Sequence, residues 1–320
     1  MKVFVAGATG ALGRVLVPQL VAEGHEVTGM TRSSAKQELV RALGARPVVA
    51  DALDGDAVAH AVALAEPEVI VHELTALSGR MSLKDARHPE RFSGAIMTTR
   101  LRTEGTDHLL AAGRACGARR FVAQGFAAFQ FARAAGPVLS ETDPPDPDPP
   151  AGLRDGVAAM RHLEQAVPAI TWGDGLVLRY GGFYGPGTAI SSAPDAVMAM
   201  AVRKRRLPII GDGGGVSSHI HIEDAAAATV AAVERGAPGV YNIVDDEPAP
   251  VREWLPVLAG ALGAKPPRRI PRWLARLVAG ETATLMMTET RGASNAKAKR
   301  ELGWKPRYPS WRQGFAQGLG

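Results

Sequence analysis

The chain has 320 residues, 46% of them apolar, which is enough to bury a large core without disulfide or metal staples. Its net charge of +5 is small, and its 29 arginines are dispersed, which argues against a nucleic-acid partner. One cysteine, Cys116, excludes an internal disulfide framework and a thiolate metal cluster. No run reaches the roughly 18 apolar residues of a membrane span, so a cytoplasmic protein with no membrane partner and no metal is expected.

In chain order, Lys2–Ala6 is a short apolar run ended by glycines, and Leu12, Leu16, Leu20 and Val21 follow at helical spacing. That pattern predicts strand, tight turn, helix. Further strands are expected at 26–30, 47–50, 69–72, 120–123 and 176–179, with helices over 104–117 and 155–167 between them. Repeated β-α-β alternation predicts parallel strands with crossover helices on both faces. Six prolines and three aspartates across 133–152 predict a surface loop. Beyond it, strand-like runs at 218–222 and 239–244 flank a helix over 223–234. Two amphipathic helices around Trp254–Leu262 and Trp273–Val278, whose apolar stripes are expected to be core, end the pattern.

Gly7, Gly10 and Gly13 stand between the first strand and its helix, where a dinucleotide pyrophosphate would meet a helix N-terminus. Gly7 permits the tight turn, Gly10 lets backbone approach the phosphates, and Gly13 lets helix and strand pack closely. Thr9, Ala11 and Leu12 complete this loop as cofactor contacts. At the end of the second strand the chain reads Thr31-Arg32-Ser33-Ser34, with Lys36 nearby and no acid before Glu38. A cation there suits a ribose 2′-phosphate, so Arg32 and Ser33 indicate NADP rather than NAD, the alternative for Arg32 being a surface arginine stacked on the adenine. Gln124, after the strand at 120–123, is a further expected contact.

The glycine spacing resembles the extended, epimerase/dehydratase-like branch of the short-chain dehydrogenase/reductase superfamily. Four other stretches are similar to that family's elements: Ala50–Asp54, Glu104–Leu110, Leu178–Pro186 and Lys299–Pro306. The resemblance implies an α/β fold, a Rossmann-type doubly wound parallel sheet with a smaller C-terminal substrate domain. It assigns residues 1–175 and 217–245 to the cofactor domain and 176–216 and 246–320 to the substrate domain. It also implies adenine contacts at Asp51 and Ala52 and a contact at Leu74. A homodimer is left open.

The chain departs from the family where chemistry is done. The family's Tyr-x-x-x-Lys pair would fall at Gly156 and Met160, and its serine pair after the strand at 120–123 is replaced by Gln124-Gly125-Phe126. The usual proton relay therefore cannot operate. Substitute proton carriers are sought at strand C-termini and the cleft edge, and Glu73, Tyr184 and His219 are the candidates. Glu73 carries the alternative of an ion pair to Arg80 or Arg100, Tyr184 that of packing, and His221 is expected to be structural. Ser217 replaces the arginine that grips nucleotide phosphates in sugar-nucleotide enzymes, which lowers that reading. The expected function is reduction of a carbonyl or imine on a small, apolar, non-nucleotide metabolite. The alternative is a cofactor-binding protein without redox turnover, a sensor or an isomerase or cyclase that keeps the pocket as scaffold.

Overall fold

The structure is a computed structural model, and it describes residues 1–77, 88–127 and 136–320. Seven parallel strands form its central sheet: β1 (Lys2–Ala6), β2 (Glu26–Thr31), β3 (Arg46–Val49), β4 (Val69–His72), β5 (Arg120–Phe126), β6 (Asp174–Tyr180) and β7 (Gly239–Ile243). Their order across the sheet is β3-β2-β1-β4-β5-β6-β7, so the direction of winding reverses between β1 and β4. Ligands of open α/β sheets bind at the strand C-termini beside such a reversal.

Both faces of the sheet are covered, and the strands show it residue by residue. In β1, Val3 and Val5 join the apolar layer under α1 (Gly13–Ala22), while Phe4 and Ala6 join the layer on the opposite face. All four are buried, which is why the run is apolar throughout rather than alternating. The helices continue with α2 (Gln37–Ala42), α3 (Gly55–Ala65), α4 (Ser93–Arg100) and α5 (Thr106–Cys116). A five-residue π turn, Leu101–Gly105, joins α4 to α5. Next come α6 (Arg154–Ala166), α7 (Val197–Arg203), α8 (Ile222–Glu234), α9 (Val251–Ala261), α10 (Arg272–Thr288), α11 (Ala296–Glu301) and α12 (Trp311–Gln317). Helices α1 and α8 cover one face of the sheet, and α3, α5 and the end of α6 cover the other.

Three details differ from the sequence reading. Asp174–Tyr180 lies inside the sheet between β5 and β7, so residues 176–180 belong with the cofactor half rather than the substrate half. Leu176, Val177 and Leu178 are fully buried there, and an apolar strand of that kind needs neighbours on both sides. The described part of the proline-rich loop is tied down: Val138–Leu139 pairs in parallel with Gly292–Ala293, and the Asn242 N–H donates to Glu141 Oε1 at 2.8 Å. Helix α10 is broken at Gly280 (φ 88°) and leaves Trp273, Leu277 and Val278 more than half exposed, so its apolar stripe is not core. Helix α9 does follow the expectation, burying Trp254, Leu255 and Leu258.

Among the described residues, no helix is long and apolar enough to cross a membrane, and no group of His, Cys, Asp and Glu is arranged to hold a metal.

Candidate active site

The phosphate loop is built by steric necessity. Gly7 has φ 102°, and a Cβ placed on it would stand 2.8 Å from the Glu73 carbonyl oxygen at the end of β4. A Cβ on Gly13 would stand 2.3 Å from the Gly7 carbonyl. The Gly10 N–H donates to the Gly7 carbonyl at 2.9 Å, closing the turn, and Gly10 and Ala11 remain exposed. Arg14 Nε donates to the Thr9 carbonyl, and Leu12 is buried under the loop. No side chain among the described residues caps the N-terminus of α1 and no acid sits in its first turn, so the positive end of the helix dipole suits an anion. This cradle fits a dinucleotide pyrophosphate.

At the end of β2, Thr31 is buried, whereas Arg32, Ser33 and Lys36 are exposed. Glu38 is occupied by an ion pair with Arg41, and Arg32 makes no ion pair among the described residues. Asp51 uses one carboxylate oxygen to accept from the Leu53 N–H at 3.0 Å, and the Ala52 carbonyl accepts from His108 Nδ1. Leu74 donates its N–H to His72 Nδ1. Gln124 is half-buried, and its side chain makes no hydrogen bond among the described residues. His72 itself is enclosed, with Nε2 directed at the Leu101 carbonyl (3.2 Å), and burial pushes its pKa down to about 4. It is a neutral structural imidazole that fixes the π turn against the end of β4.

The three expected proton carriers do not form one constellation. Glu73 lies on the α1/α8 side of the sheet, 5% exposed, where Tyr180 donates to its Oε1 at 3.1 Å and Tyr180 meets Thr229 at 2.6 Å. Burial raises the Glu73 pKa to about 8, so its carboxyl is largely protonated at neutral pH, and its Oε2 has no partner. Among the described residues it makes no ion pair: Arg100 is forked onto Glu104 at 2.7 Å, and the Arg80 alternative lies outside the described residues. Tyr184 and His219 sit instead in the C-terminal aromatic cluster, each edge-on to Phe315. The Tyr184 hydroxyl is sealed from solvent, burial raises its pKa well above the ordinary phenol value, and its ring packs edge-on against His221 and Phe315. His219 also abuts Trp254 at 5.0 Å, and burial lowers its pKa to about 4. His221 is structural as expected, bonded to the Gly318 carbonyl and capping α8 through Nδ1.

Where the relay would stand there is an apolar wall. Met160 is 1% exposed and packs with Leu153, Val157 and Phe126. A side chain at Gly125 would press on Val177 and Arg179, whereas among the described residues nothing lies within 4 Å of a Cβ on Gly156. Gly156, Met160 and Glu164 recur every four residues along one face of α6. Glu164 closes that row by taking both arms of Arg179 at 2.6 Å. One residue missed by the sequence reading, Arg102, projects from the π turn and is 8% exposed. Its sequence signal is the row Thr98, Arg102, Thr106, a cation in the middle of a buried helical face.

A glycine cradle at the winding reversal of a parallel sheet, with a cation at the end of β2, defines a dinucleotide-dependent enzyme. The NAD dependent epimerase/dehydratase family matches residues 3–244, and the chain belongs to that family. It is 47% identical over 322 residues to a Streptomyces 3-diazoavenalumate denitrifying reductase, covering 99% of this chain and 100% of that protein. Among solved structures, it resembles UDP-glucose 4-epimerase of Thermus thermophilus in complex with NAD (25% identity, TM-score 0.73, 100% of this chain and 98% of that one). It also shares its fold with a human epimerase family protein with NADPH (21% identity, TM-score 0.76, 100% and 99% covered). The protein is accordingly an NAD(P)-dependent oxidoreductase acting on a small metabolite.

Proposed function

We propose that the protein is an NADPH-dependent reductase that removes a diazo group from a small aromatic carboxylate and releases it as dinitrogen. The observation that carries this reading is the apolar wall of Phe126, Val157 and Met160 where a proton relay would stand, beside an intact phosphate loop. Gly7, Gly10 and Gly13 would hold the pyrophosphate and Arg32 the 2′-phosphate, and the bound cofactor supplies hydride.

The absence of a relay selects the electrophile. A carbonyl that accepts hydride becomes an alkoxide and needs a proton donor in the transition state, typically worth about 10²–10⁴-fold in rate. A diazo group in its diazonium form is already electron-deficient. Hydride adds to its terminal nitrogen to give a neutral diazene, R–N=N–H, with no oxyanion to protonate. The C–N bond then breaks, N2 departs, and the diazene hydrogen passes to carbon, so that R–N2⁺ plus hydride becomes R–H plus N2. The apolar wall keeps water from the electrophile, and the open space beyond Gly156 leaves room for an aromatic body where a tyrosine would project. The denitrifying reductase activity for which the Streptomyces relative is named supports the same acceptor. Glu73, Tyr184 and His219 then need carry no proton, and the Glu73–Tyr180–Thr229 chain serves to hold the ends of β4 and β6 against α8.

The test is stoichiometry. With NADPH and a ¹⁵N-labelled diazo-phenolic carboxylate, loss of absorbance at 340 nm should match labelled N2 measured by mass spectrometry, one to one. NADPH consumed on a panel of ketones and imines at equal rate, without N2 from the diazo acid, would overturn the reading.

A further inference from the structure

Arg102 is an enclosed cation with no partner for its side chain among the described residues. Thr98 and Thr106, its neighbours at four-residue spacing, are committed elsewhere: Thr98 Oγ1 donates to the Gly94 carbonyl and accepts from the Ala76 N–H. Thr106 Oγ1 donates to the Arg102 carbonyl at 2.8 Å and meets His72 Nε2 at 3.1 Å. The carboxylate whose field reaches Arg102 is Glu164, and both Glu164 oxygens are taken by Arg179. Arg102 thus makes no side-chain hydrogen bond or ion pair among the described residues. Its Nε is sealed without a partner, whereas its terminal nitrogens, equally unbonded, keep solvent contact. Burial lowers its pKa only to about 10, so it stays charged at neutral pH.

A guanidinium enclosed in this way destabilises the fold until an anion joins it. Its surroundings describe that anion. The π turn is held to the end of β4 by His72 and packs against α6, the helix whose exposed-space position Gly156 and apolar Met160 border the wall. π turns recur at functional sites. The planar fork suits a carboxylate in two-point contact.

We infer that Arg102 anchors the carboxylate of the substrate. The identity of the substrate rests on the denitrification reading; the anion site does not, and its test needs no turnover. The probes are 4-hydroxycinnamate and its methyl ester, titrated calorimetrically into the NADP⁺-loaded protein. The acid should bind and Arg102→Met should weaken it about 30-fold, the scale of losing a charge-assisted contact, while the ester changes less than about threefold. Arg102→Lys should restore part of the acid's affinity. NADPH affinity should be unchanged in both variants. Without any variant, the acid should raise the Tm of the parent protein more than the ester does at equal concentration. Equal binding of acid and ester by the parent, equal loss of both in Arg102→Met, or a parallel loss of NADPH binding would overturn the assignment. Acid binding that depends on Arg102 without N2 release would instead retain the site and reject the denitrification reading.

Discussion

The phosphate loop and the relay face of α6 are two parts of one cleft that obey different constraints. The loop is made of backbone: Gly7 and Gly13 lie where any Cβ would strike a carbonyl, so only one residue type fits whatever the substrate. The relay face is made of side chains, and here a tyrosine, a lysine and a serine pair have given way to Gly156, Met160 and Gln124-Gly125-Phe126 without disturbing the sheet beneath. Binding a dinucleotide and choosing an electrophile are therefore separable properties of this fold. A chain can keep the first entire while replacing the second with apolar side chains.

The largest effect should come from breaking the loop. Gly13→Ala places a methyl group 2.3 Å from the Gly7 carbonyl, so α1 must shift away from β1. Calorimetric NADPH binding should disappear, and Tm should fall by roughly 5 °C or more. A variant that binds NADPH normally would show that the loop is not sterically closed.

Restoring the relay should damage the protein rather than improve it. Met160→Lys puts an ammonium into a site that is 1% exposed, and an unpaired buried charge costs about 3 kcal/mol or more. With Gly156→Tyr added, N2 release should be no faster. Acceleration of ketone reduction without loss of stability would mean that the two regions are less independent than described.

Arg32→Ala sharpens the cofactor side. The lost contact to a 2′-phosphate is worth about 1.5–3 kcal/mol, so NADPH affinity should fall at least tenfold while NADH affinity holds. Equal losses would place Arg32 on the adenine instead.

The smallest effect on turnover is expected at Glu73. Glu73→Gln should leave kcat within about threefold, far from the 10²–10⁴-fold loss expected of a required proton donor. Its signature lies in stability. Burial raises Glu73 and Asp245 to about 8 in the folded protein, so between pH 6.5 and 8 the native state holds protons that the unfolded chain has released. Stability therefore falls as pH rises through that window. Below pH 6.5 the direction is contested, because His72 and His219, held neutral down to about 4, lose stability as the unfolded imidazoles take up protons. Glu73→Gln should flatten the decline in Tm from pH 6.5 to 8, and an unchanged slope would show that its carboxyl is not held protonated.

The sequence by itself determined the strand order's raw material, the phosphate loop, the cation at the end of β2 and the loss of the relay. Each depends on residues adjacent in the chain, where apolar runs, glycine spacing and helical periodicity act locally. Only the tertiary structure decided what became of the proton-carrier candidates. Glu73 meets Tyr180 across 107 positions and is sealed by α8, and Tyr184 and His219 converge on Phe315 far from Glu73 along the chain. Trp273 and Leu277 read as core from their spacing, yet the broken helix α10 leaves them in solvent. Arg102 shows the difference most plainly. Its place on the helix could be read, but its isolation arises only because Arg179, 77 residues later, claims the Glu164 carboxylate first. Local periodicity fixes which face a side chain occupies, while the partner it finds there is supplied by distant segments whose arrival no local pattern encodes.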